Sequence, residues 1–103
     1  MKENELNVQL IKIFVEIDIK ETELYLKIIK EQLKFSFQQI EYLNNAKPFF
    51  FQKKKLKEYY KKRNEHYIKI FNLYSAQKNN ELKIKKLKTM LKDYKLLLLK
   101  NSI

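Results

Sequence analysis

Residues 11–20 read IKIFVEIDIK, and the interpretation of this stretch decides the fold. β-Branched residues occupy every second position: Ile11, Ile13, Val15, Ile17 and Ile19. Alternation with a period of two is typical of a β-strand, which would require a sheet. A helix built from the same residues would instead be apolar on two of its sides. The surface that the chain offers to partners therefore depends on which structure forms.

A stripe of charged and polar residues around this stretch favours the helix. At about 100° per residue, eleven such side chains between residues 5 and 43 fall within roughly a third of the helix circumference. This charged stripe consists of Glu5, Gln9, Lys12, Glu16, Lys20, Glu23, Lys27, Lys30, Lys34, Gln38 and Glu41. A strand offers no reason for such a stripe, so we predict a helix over residues 4–45.

The rest of this helix is mostly apolar and divides into two ridges. The first ridge consists of Val8, Ile11, Val15, Ile19, Leu26, Ile29, Leu33, Phe37 and Ile40. The second ridge consists of Leu6, Leu10, Ile13, Ile17, Leu24, Ile28, Phe35 and Tyr42. A helix with one neighbour needs an apolar face only a little wider than about 100°, so this helix should contact at least two neighbours. The predicted partner-docking residues are Ile11, Ile13, Val15, Ile17, Ile19, Leu26, Ile28 and Ile29.

A β-structure is the alternative for this region. Residues 6–19 could form a strand that pairs with residues 67–71 (YIKIF), as their β-branched content suggests. The chain has no glycine, however, and tight hairpin turns depend on it. An isolated pair of strands is also marginal in water, so we favour the helix.

Two polar breaks divide the chain. Residues 44–48 (NNAKP) combine residues that end a helix with a proline that suits the first turn of the next one. Residues 75–80 (SAQKNN) form a weaker break. We predict one all-α domain over residues 1–103, with helices at 4–45, 48–77 and 80–100, the last two alternatively fused. The fold is either a three-helix bundle or a long antiparallel helical hairpin with coiled-coil-like packing.

Positive charge is concentrated in the second half of the chain. Residues 1–47 have a net charge of −1 and residues 48–103 a net charge of +12, which together give the total of +11. The candidate contacts for phosphate or an acidic protein are Lys53, Lys54, Lys55, Lys57, Lys61, Lys62, Arg63, Lys85, Lys88, Lys92 and Lys95. The chain also has 22 lysines, 11 isoleucines and 9 asparagines, residues with A/T-rich codons. An A/T-biased genome could therefore have produced the same lysines as a solvated face.

The sequence contains no recognisable catalytic or cofactor-binding constellation. There is no cysteine, and His66 is the only histidine. Its neighbour Glu65 does not face it on a helix, so the two do not form a base and orienting group. No apolar run exceeds four residues, so no transmembrane segment is expected. We expect no catalytic residue, no metal site and no cofactor.

The predicted role is therefore that of a non-enzymatic structural subunit. It would dock its two-sided first helix into a larger assembly of other protein subunits. The alternative is a basic helical RNA-binding module, for instance one associated with the ribosome, that contacts phosphates through residues 48–103. Both roles require only surfaces, and the sequence identifies no specific partner.

Overall fold

The protein is an α-helical hairpin. The computed structural model describes residues 2–101, and it describes side chains for residues 5–100. Two helices account for nearly all of this range: α1 spans Lys2–Asn45 and α2 spans Lys53–Asn101. No strand occurs among these residues. The all-α prediction is confirmed, and the hairpin, not the three-helix bundle, is the form observed.

The stretch at residues 11–20 is helical throughout. The strand interpretation of residues 6–19 is therefore wrong. One salt bridge has the helical spacing, since the Lys12 Nζ lies 3.5 Å from the carboxylate of Glu16, four residues later. The period of the charged stripe, not the β-branched alternation, was the informative pattern.

The helices are joined by residues 46–52, which we call the Phe turn. The N–H of Ala46 donates to the carbonyl oxygens of Tyr42 and Leu43, which ends α1. Two hydrogen bonds between Phe49 and Gln52 precede α2. The Gln52 N–H donates to the Phe49 carbonyl, and the Gln52 side-chain oxygen accepts the Phe49 N–H at 3.2 Å. Because these hydrogen bonds hold residues 49–52 in a turn, helix α2 begins at Lys53 and not at the predicted residue 48.

The predicted break at residues 75–80 does not exist. Helix α2 continues through it, and no residue in the described chain has a positive φ. Asn79 and Asn80 thus remain helical instead of adopting the left-handed conformation that ends helices. The fused alternative is the one observed. The continuous helix is explained by packing, because residues in this segment such as Ala76 and Asn80 are half-buried. Packing of this kind overrides the weak tendency of asparagine to end a helix.

Buried and half-buried side chains recur along both helices at alternating steps of three and four residues. In α1 this repeat runs through Glu5, Val8, Lys12, Val15, Ile19, Thr22, Leu26, Ile29, Leu33, Ser36, Ile40 and Leu43. In α2 it runs through Leu56, Tyr59, Arg63, His66, Ile70, Leu73, Gln77, Asn80, Ile84, Leu87, Leu91, Tyr94 and Leu98. A mean spacing of about 3.5 residues is the signature of coiled-coil packing.

The hairpin contains two compact units. Unit 1 consists of residues 1–27 and 79–103, and unit 2 of residues 28–78. The core of unit 1 is formed by Val15, Ile19 and Leu87, with Leu91 and Tyr94 packed against them. The core of unit 2 is formed by Ile29, Leu33, Ile40 and Ile70, with Leu73 and Ala76 against them. Each unit thus packs a segment of α1 on a segment of α2, and the prediction of a single domain stays a prediction.

Candidate docking surface

Most of the first ridge packs within the chain, although Ile11 and Phe37 are exposed. Val15 and Ile19 are buried in the core of unit 1, and Ile29 is buried in the core of unit 2. Leu26 is half-buried, whereas Ile11 at the edge of the ridge is exposed. Several predicted docking residues therefore stabilise the hairpin itself. Four members of the predicted docking set are exposed and remain available to a partner: Ile11, Ile13, Ile17 and Ile28.

The second ridge is exposed along its length. In unit 1 the exposed fractions of its members lie between 46% and 61%, for Leu6, Leu10, Ile13, Ile17 and Leu24. In unit 2 its members Ile28, Phe35 and Tyr42 are exposed as well. Within each unit, at about 100° per residue, these side chains fall in an arc of no more than about 60°, on the side of α1 opposite the first ridge. Contiguous exposed apolar surface of this kind marks interaction sites.

Charges of both signs border the second ridge in unit 1. The charged stripe alternates there between acidic and basic residues, from Glu16 through Lys20 and Glu23 to Lys27. Glu16 pairs with Lys12 at 3.5 Å, and Glu23 lies 3.8 Å from Lys88 of α2. These pairs are solvent-accessible and contribute little to stability. A partner helix placed against the ridge would therefore meet nearly balanced charge.

The predicted phosphate contacts are solvent-accessible, with one exception. The ten lysines of that set are all exposed: Lys53, Lys54, Lys55, Lys57, Lys61, Lys62, Lys85, Lys88, Lys92 and Lys95. The first six lie in unit 2 and the other four in unit 1. Arg63 alone is half-buried. The structure therefore presents lysine ammonium groups, not a guanidinium, to solvent at these positions.

Arg63 is held by aromatic side chains in unit 2. Its guanidinium carbon lies 4.7 Å from the ring centroid of Tyr60 and 5.5 Å from that of Tyr67, which are cation–π distances. Its Nε is buried and has no hydrogen-bond partner among the described residues. The Tyr59 hydroxyl, next to this stack, donates to Asn44 Oδ1 at 2.8 Å. Arg63 thus contributes mainly to the packing of α2 beside the turn.

Sequence reasoning missed the Phe turn. It placed Phe49, Phe50 and Phe51 in a helix, whereas they lie in the connection and are all exposed. The signal was present in the sequence, because three phenylalanines follow the only proline and are themselves followed closely by three lysines. Such a segment has no polar face to place on one side of a helix.

Among residues 5–100, no group of three acidic or histidine side chains is arranged to hold a metal ion. No helix in the described part of the chain is long and apolar enough to cross a membrane. Comparison with protein-family models, curated proteins and solved structures finds no match for this chain. Its function is therefore inferred from its own surfaces.

Proposed function

We propose that this protein is a non-enzymatic structural subunit that docks into a larger protein assembly through the second ridge of α1. One observation carries the proposal: most of the first ridge is buried or half-buried, while the second ridge, which is as rich in leucine and isoleucine, is exposed at every member. A single chain that needed only a stable hairpin would gain nothing from a second apolar ridge. Solvated helix faces are normally polar.

The free energy that would be gained by covering the second ridge is large enough to contribute to binding a partner. Covering a half-exposed leucine or isoleucine contributes about 1 kcal/mol, so the five second-ridge residues of unit 1 contribute about 5 kcal/mol. Association itself costs about 4 kcal/mol or more. The nearby Phe14 and Tyr25, both more than 60% exposed, would enlarge the contact. A specific contact therefore needs these neighbouring residues as well as the second ridge.

The partner that fits this ridge is a helix of another polypeptide. A row of side chains at helical spacing packs into the groove between two such rows on a facing helix. The mixed charges of the bordering stripe fit a partner helix whose own flanks carry both signs. This chemistry differs from that of α2, whose lysines would attract an acidic surface.

The test compares two double variants of the full chain. Ile13→Gln with Ile17→Gln alters the second ridge, and Leu96→Gln with Leu97→Gln alters a matched pair of exposed aliphatic residues on α2 of the same unit. We expect the first pair to abolish stoichiometric co-purification of a partner from the source cells and to reduce binding of a dye for apolar surface. The control pair should retain the partner.

Two results would count against docking through this ridge. One is a well-behaved helical monomer that binds no such dye. The other is equal loss of the partner in both double variants. Circular dichroism of each variant verifies that the hairpin has folded, so that loss of the partner reports on the surface.

A second proposal is RNA binding through the lysines of residues 48–103, and the observation that favours it is that all ten predicted lysine contacts are exposed. Each neutralised phosphate adds to the salt dependence of affinity. Micromolar binding of a generic RNA with a steep salt slope would support this role. No binding at low salt would exclude it.

A further inference from the structure

The Phe turn presents three adjacent aromatic side chains to solvent. Phe49, Phe50 and Phe51 are 68%, 85% and 65% exposed. Apolar residues this exposed and this close together are unusual on a solvated surface. They form a small apolar cap at the turn where the chain passes from α1 to α2.

The turn also holds the rings in a defined arrangement. The Phe49 and Phe51 rings are stacked, with centroids 5.5 Å apart and planes 3° apart, and Phe50 meets Phe51 edge to face at 5.6 Å. The two hydrogen bonds between Phe49 and Gln52 fix the backbone below them. The cap is therefore preorganised, which lowers the entropic cost of placing it on a partner.

Lysines adjoin this cap without any acidic residue among them. Lys47 precedes the phenylalanines, while Lys53, Lys54, Lys55 and Lys57 follow them. The nearest carboxylates along the chain are Glu41 and Glu58. All five lysines are exposed. The segment thus combines an apolar tip with a local charge of +5.

We propose that the Phe turn is a membrane-surface anchor that inserts its phenylalanines at the interface of a bilayer containing anionic lipids. Interfacial anchors combine aromatic or leucine side chains, which enter the boundary between headgroups and acyl chains, with basic residues that contact anionic headgroups. Lysine suits the second task because its long apolar stem lies along the apolar region while the ammonium stays in water. The phenylalanines of the Phe turn would thus enter the boundary with the acyl chains, and the adjoining lysines would contact the anionic headgroups.

The geometry favours lipid over single-stranded RNA. Nucleic-acid platforms need open aromatic faces on which bases stack. In the Phe turn, Phe49 and Phe51 stack on each other with ring centroids 5.5 Å apart, so one face of each ring is already partly occupied. Phenylalanine also has no hydrogen-bonding group with which to position a base. Insertion at a bilayer interface requires neither open ring faces nor hydrogen-bonding groups, because exposed apolar side chains beside positive charge are sufficient.

The first experiment measures co-sedimentation of the full chain with vesicles of phosphatidylcholine, with and without phosphatidylserine. We expect binding only to the vesicles that contain phosphatidylserine. Replacing all three phenylalanines by serine should weaken binding at least about tenfold, because their apolar area no longer enters the interface. No binding at low salt would overturn the proposal.

Matched lysine variants separate anchoring by the turn from general attraction of a chain with net charge +11. Lys53→Gln, Lys54→Gln and Lys55→Gln remove three charges beside the turn, whereas Lys83→Gln, Lys85→Gln and Lys86→Gln remove three from unit 1. Each lysine near an anionic surface contributes about fivefold to binding, so the first triple should lose roughly a hundredfold and the second much less. Equal losses, or binding that survives loss of the phenylalanines, would overturn the anchor.

A fluorescence measurement locates the insertion. The chain has no tryptophan, so Phe50→Trp introduces a single indole at the tip, and Phe71→Trp, at another exposed position of unit 2, is its control. We expect a blue shift with phosphatidylserine vesicles for the tip variant only. A shift with single-stranded RNA but not with vesicles would overturn the lipid assignment.

Discussion

Ser36 has the most buried side chain of the described hairpin, at 1% exposure. It occupies a core position of α1 in unit 2, and its hydroxyl has no hydrogen-bond partner among the described residues. A buried hydroxyl without a partner costs about 1–3 kcal/mol relative to an apolar side chain. Thr22 shows the contrast, since its buried hydroxyl donates to the Asp18 carbonyl at 2.7 Å.

Replacing Ser36 with alanine should therefore stabilise the protein. We expect Ser36→Ala to raise the free energy of unfolding by about 1–2 kcal/mol, because it removes the unsatisfied hydroxyl and improves helix propensity. Urea denaturation measures this change. Ser75→Ala, at an exposed position of α2, is the control, and it should gain only about 0.5 kcal/mol from propensity. Equal gains would show that burial of the hydroxyl has no cost.

The contact between Tyr59 and Asn44 connects the two helices beside the Phe turn. Tyr59 is buried, and its hydroxyl donates to Asn44 Oδ1 at 2.8 Å. We expect Tyr59→Phe to lower the free energy of unfolding by about 1 kcal/mol, since one partly buried hydrogen bond is lost. Tyr42→Phe, at an exposed tyrosine of α1, should change it very little. If Asn44→Ala adds its full cost on top of Tyr59→Phe in urea denaturation, the two residues are not coupled.

At the scale of the element, α1 has two apolar ridges with different tasks. Ile19 of the first ridge is 8% exposed, and Ile17 of the second ridge, in the same unit, is 47% exposed. We expect Ile19→Ala to lower the free energy of unfolding by about 2–4 kcal/mol, because it leaves a cavity in the core. Ile17→Ala should cost less than about 1 kcal/mol in the isolated chain and act instead on partner binding. Similar costs for both in thermal or urea unfolding would mean that the ridges are not functionally separate.

The sequence was sufficient to predict helix α1 but not which ridge it buries. The charged stripe placed a helix at 4–45, close to the observed Lys2–Asn45. Both ridges contain leucine and isoleucine, however, and hydrophobicity alone does not distinguish them. The distinguishing signal is the seven-residue repeat that runs through most of the first ridge and places two small polar residues, Thr22 and Ser36, at buried positions.

The bounds of helix α2 were harder to predict, because they were inferred from single helix-breaking residues and not from the packing repeat. The asparagine pair at residues 79–80 predicted a helix end, but a repeat from Leu56 to Leu98 passes through it. Propensity differences among such residues are a fraction of about 1 kcal/mol each, less than the packing of one core leucine. At the start of α2, Pro48 suited a first helical turn, but the hydrogen bonds of Gln52 delay the helix to Lys53.

For the whole molecule, the uneven distribution of charge has a measurable consequence. Residues 48–103, which contain α2, carry a net charge of +12, and residues 1–47 are nearly neutral. Repulsion among the lysines of α2 opposes folding, and salt screens it over a Debye length of about 10 Å at 0.1 M. We expect the thermal midpoint to rise by about 3–8 °C between very low and physiological salt.

A charge variant identifies the source of that salt effect. With Lys83→Gln, Lys85→Gln and Lys86→Gln, the midpoint at low salt should be higher and its rise with salt smaller. Differential scanning calorimetry measures both quantities. A midpoint that is independent of salt in the original chain would show that the lysines are too well solvated to repel one another.

Site-specific photo-crosslinking tests docking through the second ridge most directly. A benzophenone amino acid replaces Ile17 on that ridge, or Thr89, an exposed residue of α2 in the same unit, as the control. Irradiation of the source cells should join the Ile17 variant to one other polypeptide and leave the Thr89 variant without that adduct. An Ile17 variant that forms no adduct, forms one only with a second copy of this chain, or matches the Thr89 variant would contradict docking of this ridge into a larger assembly.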